Sequence, residues 1–223
     1  TARATALAAR LLAGARDPQA PAARCYARLL AWRAARGYGP GCTPAALDEL
    51  LRRHFPGAGA LAGELVGPSI RAALPRRADE VEDVCSLLLP AAATDDPEAD
   101  WLAVVIAEGC LGDDHLWQDL GLEHRGQLGW LLDTHFGALA RRNVADMKWK
   151  RFFYKQLCDR EQVSCRAPSC GICTDHARCY GSEAGGTAAF PAADPSPGTA
   201  GADAPADAPP PSTRRVLPNT TSD

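Results

Sequence analysis

The sequence predicts an all-α fold, a helical bundle of about six to eight helices. Apolar residues recur at helical spacing in several separate windows of the chain. No convincing run of alternating β-branched residues indicates a strand. After the bundle, the sequence changes to a cysteine-rich loop and then to a Pro- and Ala-rich tail. Weak β elements within the cysteine loop remain compatible with this pattern.

Local signals place the individual helices. Residues 1–16 are Ala- and Arg-rich and fit a surface helix better than a transit peptide. Thr43 followed by Pro44 is typical of an N-cap and first helical position, and Pro90 ends an acidic helix. Asn143 is a candidate cap for the last helix. The other predicted segments are 22–35, 44–54, 78–89, 96–109, 116–120, 127–136 and 144–160.

The last predicted helix has two distinct faces. Its apolar stripe, predicted to pack in the core, consists of Trp149, Phe152, Phe153 and Leu157. Its basic face consists of Lys148, Arg151 and Lys155. Cys158 falls at the edge of the stripe. Two interpretations of the basic face are open: it is simply solvated, or it is directed at an anion. Its position just before the cysteine-rich loop is the reason for the second interpretation.

Charge is distributed unevenly along the chain. The net charge is −3, which argues against nucleic-acid binding through overall basicity. No stretch of 18 apolar residues predicts a membrane-spanning helix. Residues 78–123 contain thirteen acidic residues and no Lys or Arg, whereas residues 141–180 contain nine basic and four acidic residues. Either these regions attract each other within the fold, or the basic one forms a rim around an anionic ligand.

Composition also predicts the domain organisation. The last 43 residues hold eight of the 18 prolines and one aromatic residue, so they are predicted to be disordered. We therefore predict a helical body over 1–160, a cysteine-rich motif packed on it over 161–181, and a disordered tail over 182–223. No secretory signal is apparent, so the expected compartment is the reducing cytoplasm, where clustered cysteines more often bind metal than form disulfides.

Four of the nine cysteines form a compact motif, Cys165-x4-Cys170-x2-Cys173-x5-Cys179. Thiolates are soft ligands that select zinc, copper(I) or iron–sulfur clusters. Three thiolates within nine residues suit a cluster of several metal atoms, and structural zinc sites more often show two separated pairs. The spacing therefore favours a metal cluster over a zinc site. Both are favoured over disulfides and over free thiols without a metal. The scattered thiols Cys25, Cys42, Cys85 and Cys110 are predicted to be core or free thiols.

Neighbouring residues supply further candidates. Arg166 and Arg178 lie inside the motif, where positive charge would stabilise an anionic thiolate cluster. His176 and Cys158 are candidate additional ligands, against the alternatives of a solvated histidine and a partly buried thiol. His115, His124 and His135 have no convincing metal-ligand spacing. No Ser-His-Asp order, P-loop or dinucleotide fingerprint is present, so the usual catalytic signatures are absent.

Two features together resemble a known family. The run from Met147 to Cys158, MKWKRFFYKQLC, followed by the four-cysteine motif, resembles the NifQ family of nitrogen-fixation proteins. The segments 115–122 and 135–143 resemble the same family, and the resemblance is strongest over residues 97–181. The Pro/Ala tail matches no motif of the family.

The resemblance implies a function that the spacing could not supply. NifQ-like proteins bind a molybdenum–iron–sulfur cluster of the [Mo–3Fe–4S] type and donate molybdenum for assembly of the nitrogenase iron–molybdenum cofactor. Cys165, Cys170, Cys173 and Cys179 would be the cluster ligands. The implied partners are the cofactor-assembly scaffold complex and the nitrogenase iron protein.

On this interpretation the chain is a metallocluster carrier and not an enzyme. Molybdenum arrives as the anion molybdate, whose approach would be favoured by five basic residues, Lys148, Arg151, Lys155, Arg166 and Arg178. Two alternatives remain open at this point: a zinc-stapled helical interaction module, and an iron–sulfur electron carrier.

Overall fold

The computed structural model describes residues 1–68, 77–93 and 96–161. Within these ranges every regular element is an α-helix or a 3₁₀ helix, which confirms the all-α prediction. The four-cysteine motif and the Pro/Ala tail lie outside the described residues, so the predicted boundaries at 161–181 and 182–223 stay predictions. None of the described helices combines the length and apolarity needed to cross a membrane.

The helices follow one another with short connections. In chain order they are α1 (Ala2–Ala13), α2 (Pro21–Ala35), α3 (Pro44–His54), α4 (Ala78–Leu88), α5 (Ala99–Gly109), α6 (Leu116–Asp119), α7 (Arg125–His135), α8 (Gly137–Ala140) and α9 (Trp149–Glu161). Two 3₁₀ helices span Pro56–Glu64 and Leu89–Ala91. The described residues contain nine α-helices, one more than the upper end of the predicted range, because the short helix α8 was not predicted.

The start of α3 follows the predicted capping pattern. The Thr43 side chain accepts a hydrogen bond from the Ala46 amide at 3.3 Å, which satisfies one of the amides that lack an intrahelical partner. Pro44 occupies the first helical position, where its missing N–H has no cost. The helix ends at His54, as predicted. The N-terminal segment forms the surface helix α1, which buries Leu7 and Leu11.

Helix α5 is the central helix of the core. A helix that is apolar around its whole circumference is expected to be buried on all sides. Its buried apolar residues are Ala99, Trp101, Leu102, Ala103, Val105, Ile106 and Ala107. The indole of Trp101 donates a hydrogen bond to the Pro40 carbonyl at 2.7 Å, so its polar edge is satisfied inside the core. Helix α5 therefore fixes the arrangement of the helices around it.

Two buried polar links cross this core. Arg33 on α2 and Glu108 on α5 form an ion pair with 2.6 Å between Nη2 and Oε2, and both side chains are almost completely buried. His135 on α7 contacts Asp96 through Nδ1 at 2.6 Å and the Tyr26 hydroxyl through Nε2 at 2.9 Å. Because buried polar groups are costly unless paired, these links specify how α2, α5 and α7 are oriented.

The turn between α6 and α7 depends on a glycine. Gly121 has φ +72°, in the left-handed region that glycine adopts without strain. A Cβ atom at this position would lie 2.4 Å from the Trp32 ring, so the backbone can approach α2 this closely only without a side chain. This turn holds α6 against the indole of Trp32.

The prediction for the start of the last helix is wrong. Helix α9 begins at Trp149, five residues after the predicted start at Val144. The Asn143 side chain does not cap this helix, since its Oδ1 accepts from the Met147 amide at 2.8 Å and its Nδ2 donates to the Met147 carbonyl at 2.9 Å. Asp146 has φ +48°, which is incompatible with a continuous helix. Residues 143–147 therefore form a turn, with Val144 91% exposed.

Other helix ends differ by smaller amounts. Helix α5 begins at Ala99 instead of residue 96, because the Asp96 carboxylate accepts from the Glu98 amide at 3.0 Å and forms a turn before the helix. Helix α7 begins at Arg125, two residues earlier than predicted. Helix α4 ends at Leu88, and Pro90 lies in the 3₁₀ helix that follows.

Candidate metal centre

The described part of the candidate metal centre is helix α9, which leads into the cysteine motif. Seven of the predicted site residues lie outside the described residues: Cys165, Arg166, Cys170, Cys173, His176, Arg178 and Cys179. The complete four-cysteine motif is therefore outside this range. The structure therefore locates Cys158, Lys148, Arg151 and Lys155, and it defines the base from which the motif extends.

The apolar stripe of α9 packs in the core, as predicted. Phe152, Phe153 and Leu157 are buried, and the partly buried Trp149 packs against the same core. The rings of Trp149 and Phe152 meet edge to face with centroids 5.8 Å apart. Burying three such side chains stabilises α9 by several kcal/mol, at about 1.5–3 kcal/mol for each. The helix before the motif is therefore an integral part of the body.

Lys150 provides a second anchor for α9, and sequence reasoning did not select it. Its Nζ donates to Asp119 Oδ2 on α6 at 2.5 Å and to the Gly112 carbonyl at 2.7 Å. Its side chain is 19% exposed and that of Asp119 is 6% exposed. Burial raises the pKa of Asp119, and Lys150 opposes this rise by stabilising the carboxylate. The acidic region 78–123 and the basic region 141–180 therefore contact each other through this ion pair.

The C-terminal half of α9 is attached to α4. Arg160 Nη2 donates to Ser86 Oγ at 3.1 Å, one residue before the helix ends. Together with Lys150, this contact holds both ends of α9 against the body. The helix that precedes the cysteine motif is therefore fixed to the body, and Cys165 lies four residues beyond Glu161 in the sequence.

The predicted basic face of α9 has residues of differing exposure. Arg151 and Lys155 are exposed, whereas Lys148 is half-buried. Lys155 Nζ lies 2.5 Å from Asp159 Oδ2, one helical turn along, in a pair that is half exposed. Exposed pairs of this kind contribute less than about 1 kcal/mol and are easily exchanged for another anion. The face thus remains open to solvent, as an anion-attracting role requires.

The cysteines of the body are unsuited to metal binding. Cys25, Cys85 and Cys110 are buried, which agrees with their prediction as core thiols. Burial raises the pKa of Cys25 and of Cys110 to about 12, and that of Cys42 to about 11. Because the thiolate is the metal-binding form, these thiols are held in the wrong protonation state. Cys158 is half-buried on the last turns of α9.

Histidines and carboxylates of the body do not assemble a metal site either. Among the described residues, no group of three or more His, Cys, Asp or Glu side chains is placed to hold a metal ion. Both ring nitrogens of His135 are engaged, by Asp96 and by Tyr26. A soft-metal site therefore needs donors from the undescribed part, and the cysteine motif supplies four thiols there.

Breaking the Lys150 anchor should uncouple α9 from α6. Lys150→Met leaves the Asp119 carboxylate buried and unpaired, and we expect the free energy of unfolding to fall by about 2–4 kcal/mol. Urea unfolding followed by circular dichroism measures the change. Lys155→Met is the matched control, because its ion pair has the same length but is exposed, and it should cost less than about 1 kcal/mol. Equal effects of the two variants would contradict the anchoring role.

The fold and the sequence motif together define an all-helical protein whose last helix is anchored to the body and continues into a cysteine-rich segment. The model of the NifQ family matches residues 21–181, a range that includes all four motif cysteines. The chain belongs to the NifQ family. Members of this family act in nitrogen fixation, in the biosynthesis of the iron–molybdenum cofactor.

Three curated relatives extend this result. The protein NifQ of Azotobacter vinelandii is 45% identical over 143 residues, which cover 60% of this chain and 73% of the relative. The NifQ homolog of Sinorhizobium fredii is 36% identical over 158 residues, covering 66% of this chain and 63% of the relative. The protein NifQ of Rhodobacter capsulatus is 34% identical over 152 residues, covering 66% of this chain and 81% of the relative. No solved structure matches the chain.

Proposed function

We propose that this chain binds a molybdenum–iron–sulfur cluster and donates its molybdenum for assembly of the nitrogenase iron–molybdenum cofactor. The observation that carries this proposal is the family match, which spans residues 21–181 and so includes all four motif cysteines. Cys165, Cys170, Cys173 and Cys179 would hold the cluster as cargo. The chain is then a carrier in the reducing cytoplasm, where free thiols persist.

The chemistry of the donors supports this assignment. Four thiols within fifteen residues can converge on one centre, and thiolates suit iron and other soft metals. The body cysteines with raised pKa values do not compete for the metal, because they stay protonated. Cys158 and His176 would be additional ligands, and of these Cys158 lies half-buried on α9, seven residues before Cys165.

The placement of charge supports delivery of the metal. Arg151 and Lys155 are exposed on α9, and Arg166 and Arg178 lie within the motif. Positive charge at this end of the molecule raises the local concentration of molybdate and stabilises an anionic cluster. The recipient would be the cofactor-assembly scaffold complex, acting with the nitrogenase iron protein.

Anaerobic purification with elemental analysis tests the proposal. We expect a brown protein that contains iron and molybdenum in a ratio of about three to one, and little zinc. Incubation with the scaffold complex should then move molybdenum, measured in the re-isolated scaffold. A colourless protein with bound zinc would show a zinc-stapled interaction module instead. Iron without molybdenum would show an electron carrier.

A further inference from the structure

A small cavity opens between α2, α5 and α6. Its volume open to the centre of a water molecule is about 110 Å³. Because a single water needs only about 10–15 Å³ by this measure, the cavity holds several waters or one small ligand with part of its hydration. Its polar lining residues are Trp32, Arg33, Arg36, Tyr38, Glu108 and Asp119.

Arg33 has a donor group without a partner in this cavity. The residue is only 4% exposed, and its hydrogen bonds use Nε, to the Gly39 carbonyl at 2.7 Å, and Nη2, to Glu108 at 2.6 Å. Its Nη1 has no hydrogen-bond partner among the described residues. A guanidinium has five N–H donors, and those of Nη1 donate to no described acceptor, so they are available to a ligand that accepts hydrogen bonds in the cavity.

A second guanidinium, that of the exposed Arg36, lies just past the C-terminal end of α2. The Arg36 guanidinium stacks on the Trp32 ring at 4.5 Å from its centroid, and the Trp32 indole is itself held by a hydrogen bond to the Asp119 carbonyl at 2.8 Å. Stacking restricts the long arginine side chain before any ligand binds, which lowers the entropy lost on binding. No salt bridge pairs Arg36 within the described part of the chain.

The charges around the cavity leave an excess of positive charge. Glu108 is bound to Arg33, and Asp119 is bound to Lys150. Among the described lining residues Arg36 is the remaining cation, and the half-buried Tyr38 adds a hydroxyl donor. The lining therefore offers two guanidinium groups and a hydroxyl, with both carboxylates already neutralised. This set of donors suits an anion and disfavours a metal cation.

We propose that this cavity, the α2–α5 pocket, binds a small oxoanion. The ligand class is a tetrahedral oxoanion such as sulfate, phosphate or molybdate, which accepts hydrogen bonds from Arg33 Nη1, the Arg36 guanidinium and the Tyr38 hydroxyl. Arginine recognises such groups through paired N–H donors. None of the described lining residues belongs to the cysteine motif, and the proposal does not depend on the cluster.

Equilibrium dialysis of the full-length chain against sulfate and, separately, molybdate tests the pocket. We expect one equivalent to bind in a way that changes the fluorescence of Trp32. Arg36→Gln should weaken binding about ten- to hundredfold, the loss expected for one charged hydrogen-bonding group. Arg52→Gln is the control, because Arg52 is an exposed arginine on α3 outside the pocket, and it should leave the affinity unchanged. Circular dichroism checks that both variants fold.

Two further arms give the proposal a clear outcome. Cys170→Ala should retain the pocket's anion affinity, so that loss of the cluster and loss of the pocket are distinguished. Tighter binding of molybdate than of sulfate, or equal affinity for both, would support an oxoanion ligand. The ratio of the two affinities would show which anion the pocket prefers. No binding of either anion, or binding that Arg36→Gln leaves unchanged, would overturn the proposal.

Discussion

Replacing Cys170 by alanine is expected to remove most of the bound iron and molybdenum and the visible absorption of the anaerobically purified protein. Cys170 is the second of the four motif thiols and lies three residues before Cys173. Changes to residues that only support a metal ligand typically cost ten- to hundredfold in affinity, so loss of a ligand itself should cost at least about tenfold. Iron and molybdenum analysis of the purified variant measures the effect.

Cys42→Ala is the matched control for this variant. Cys42 is a half-buried thiol in the loop before α3, and burial raises its pKa to about 11. We expect this variant to keep its iron and molybdenum, because the protonated thiol is a poor ligand. Unchanged metal content in Cys170→Ala, or equal losses in both variants, would contradict ligation by the motif.

Removing the Glu108 carboxylate should give the largest loss of stability in the body. In Glu108→Ala the Arg33 guanidinium keeps its charge in the core but loses its ion-pair partner on α5. Removing one partner of a buried pair lowers the free energy of unfolding by about 3–5 kcal/mol. Since small domains are stable by only about 5–15 kcal/mol, this variant should unfold at much lower urea concentration.

Glu64→Ala provides the comparison for Glu108→Ala. Glu64 also pairs with an arginine, Arg10, at 2.7 Å, but this pair is about half exposed. Its loss should lower the free energy of unfolding far less than Glu108→Ala does, because water solvates the arginine that remains. The double replacement Arg33→Met with Glu108→Leu should recover stability relative to Glu108→Ala, since no charge stays buried. Equal midpoints of Glu108→Ala and Glu64→Ala would contradict this account.

Several parts of the fold could be predicted because their signals are local. The Thr43–Pro44 cap depends on neighbouring residues alone, and the structure confirms it. The stripe of Phe152, Phe153 and Leu157 depends only on the period of the helix, and these residues are buried. The start of α9 was less predictable, because Asn143 binds the backbone of Met147 and forms a turn that competes with a helix cap.

The partners of charged residues could not be predicted in the same way. Glu108 lies near the end of a helix that is apolar from Trp101 to Ala107, which indicates a buried charge that needs a cation, but Arg33 is 75 residues away along the chain. Lys150 lies next to the predicted basic face, yet it is directed to Asp119 instead of to solvent. The α2–α5 pocket combines residues of three helices, so no sequence window contains it.

The sequence by itself determined the helical class, the family and the four-cysteine motif, because periodicity and ligand spacing are properties of short segments. Only the tertiary structure decided which charges pair and which thiols are buried, and it located the cavity beside Arg33 and Arg36. The physical reason is that desolvation and ion pairing depend on distances between helices that are remote in sequence. The opposite charges of the sequence are thus divided between specific buried or partly buried pairs, such as Lys150 with Asp119, and one basic face that is open to solvent.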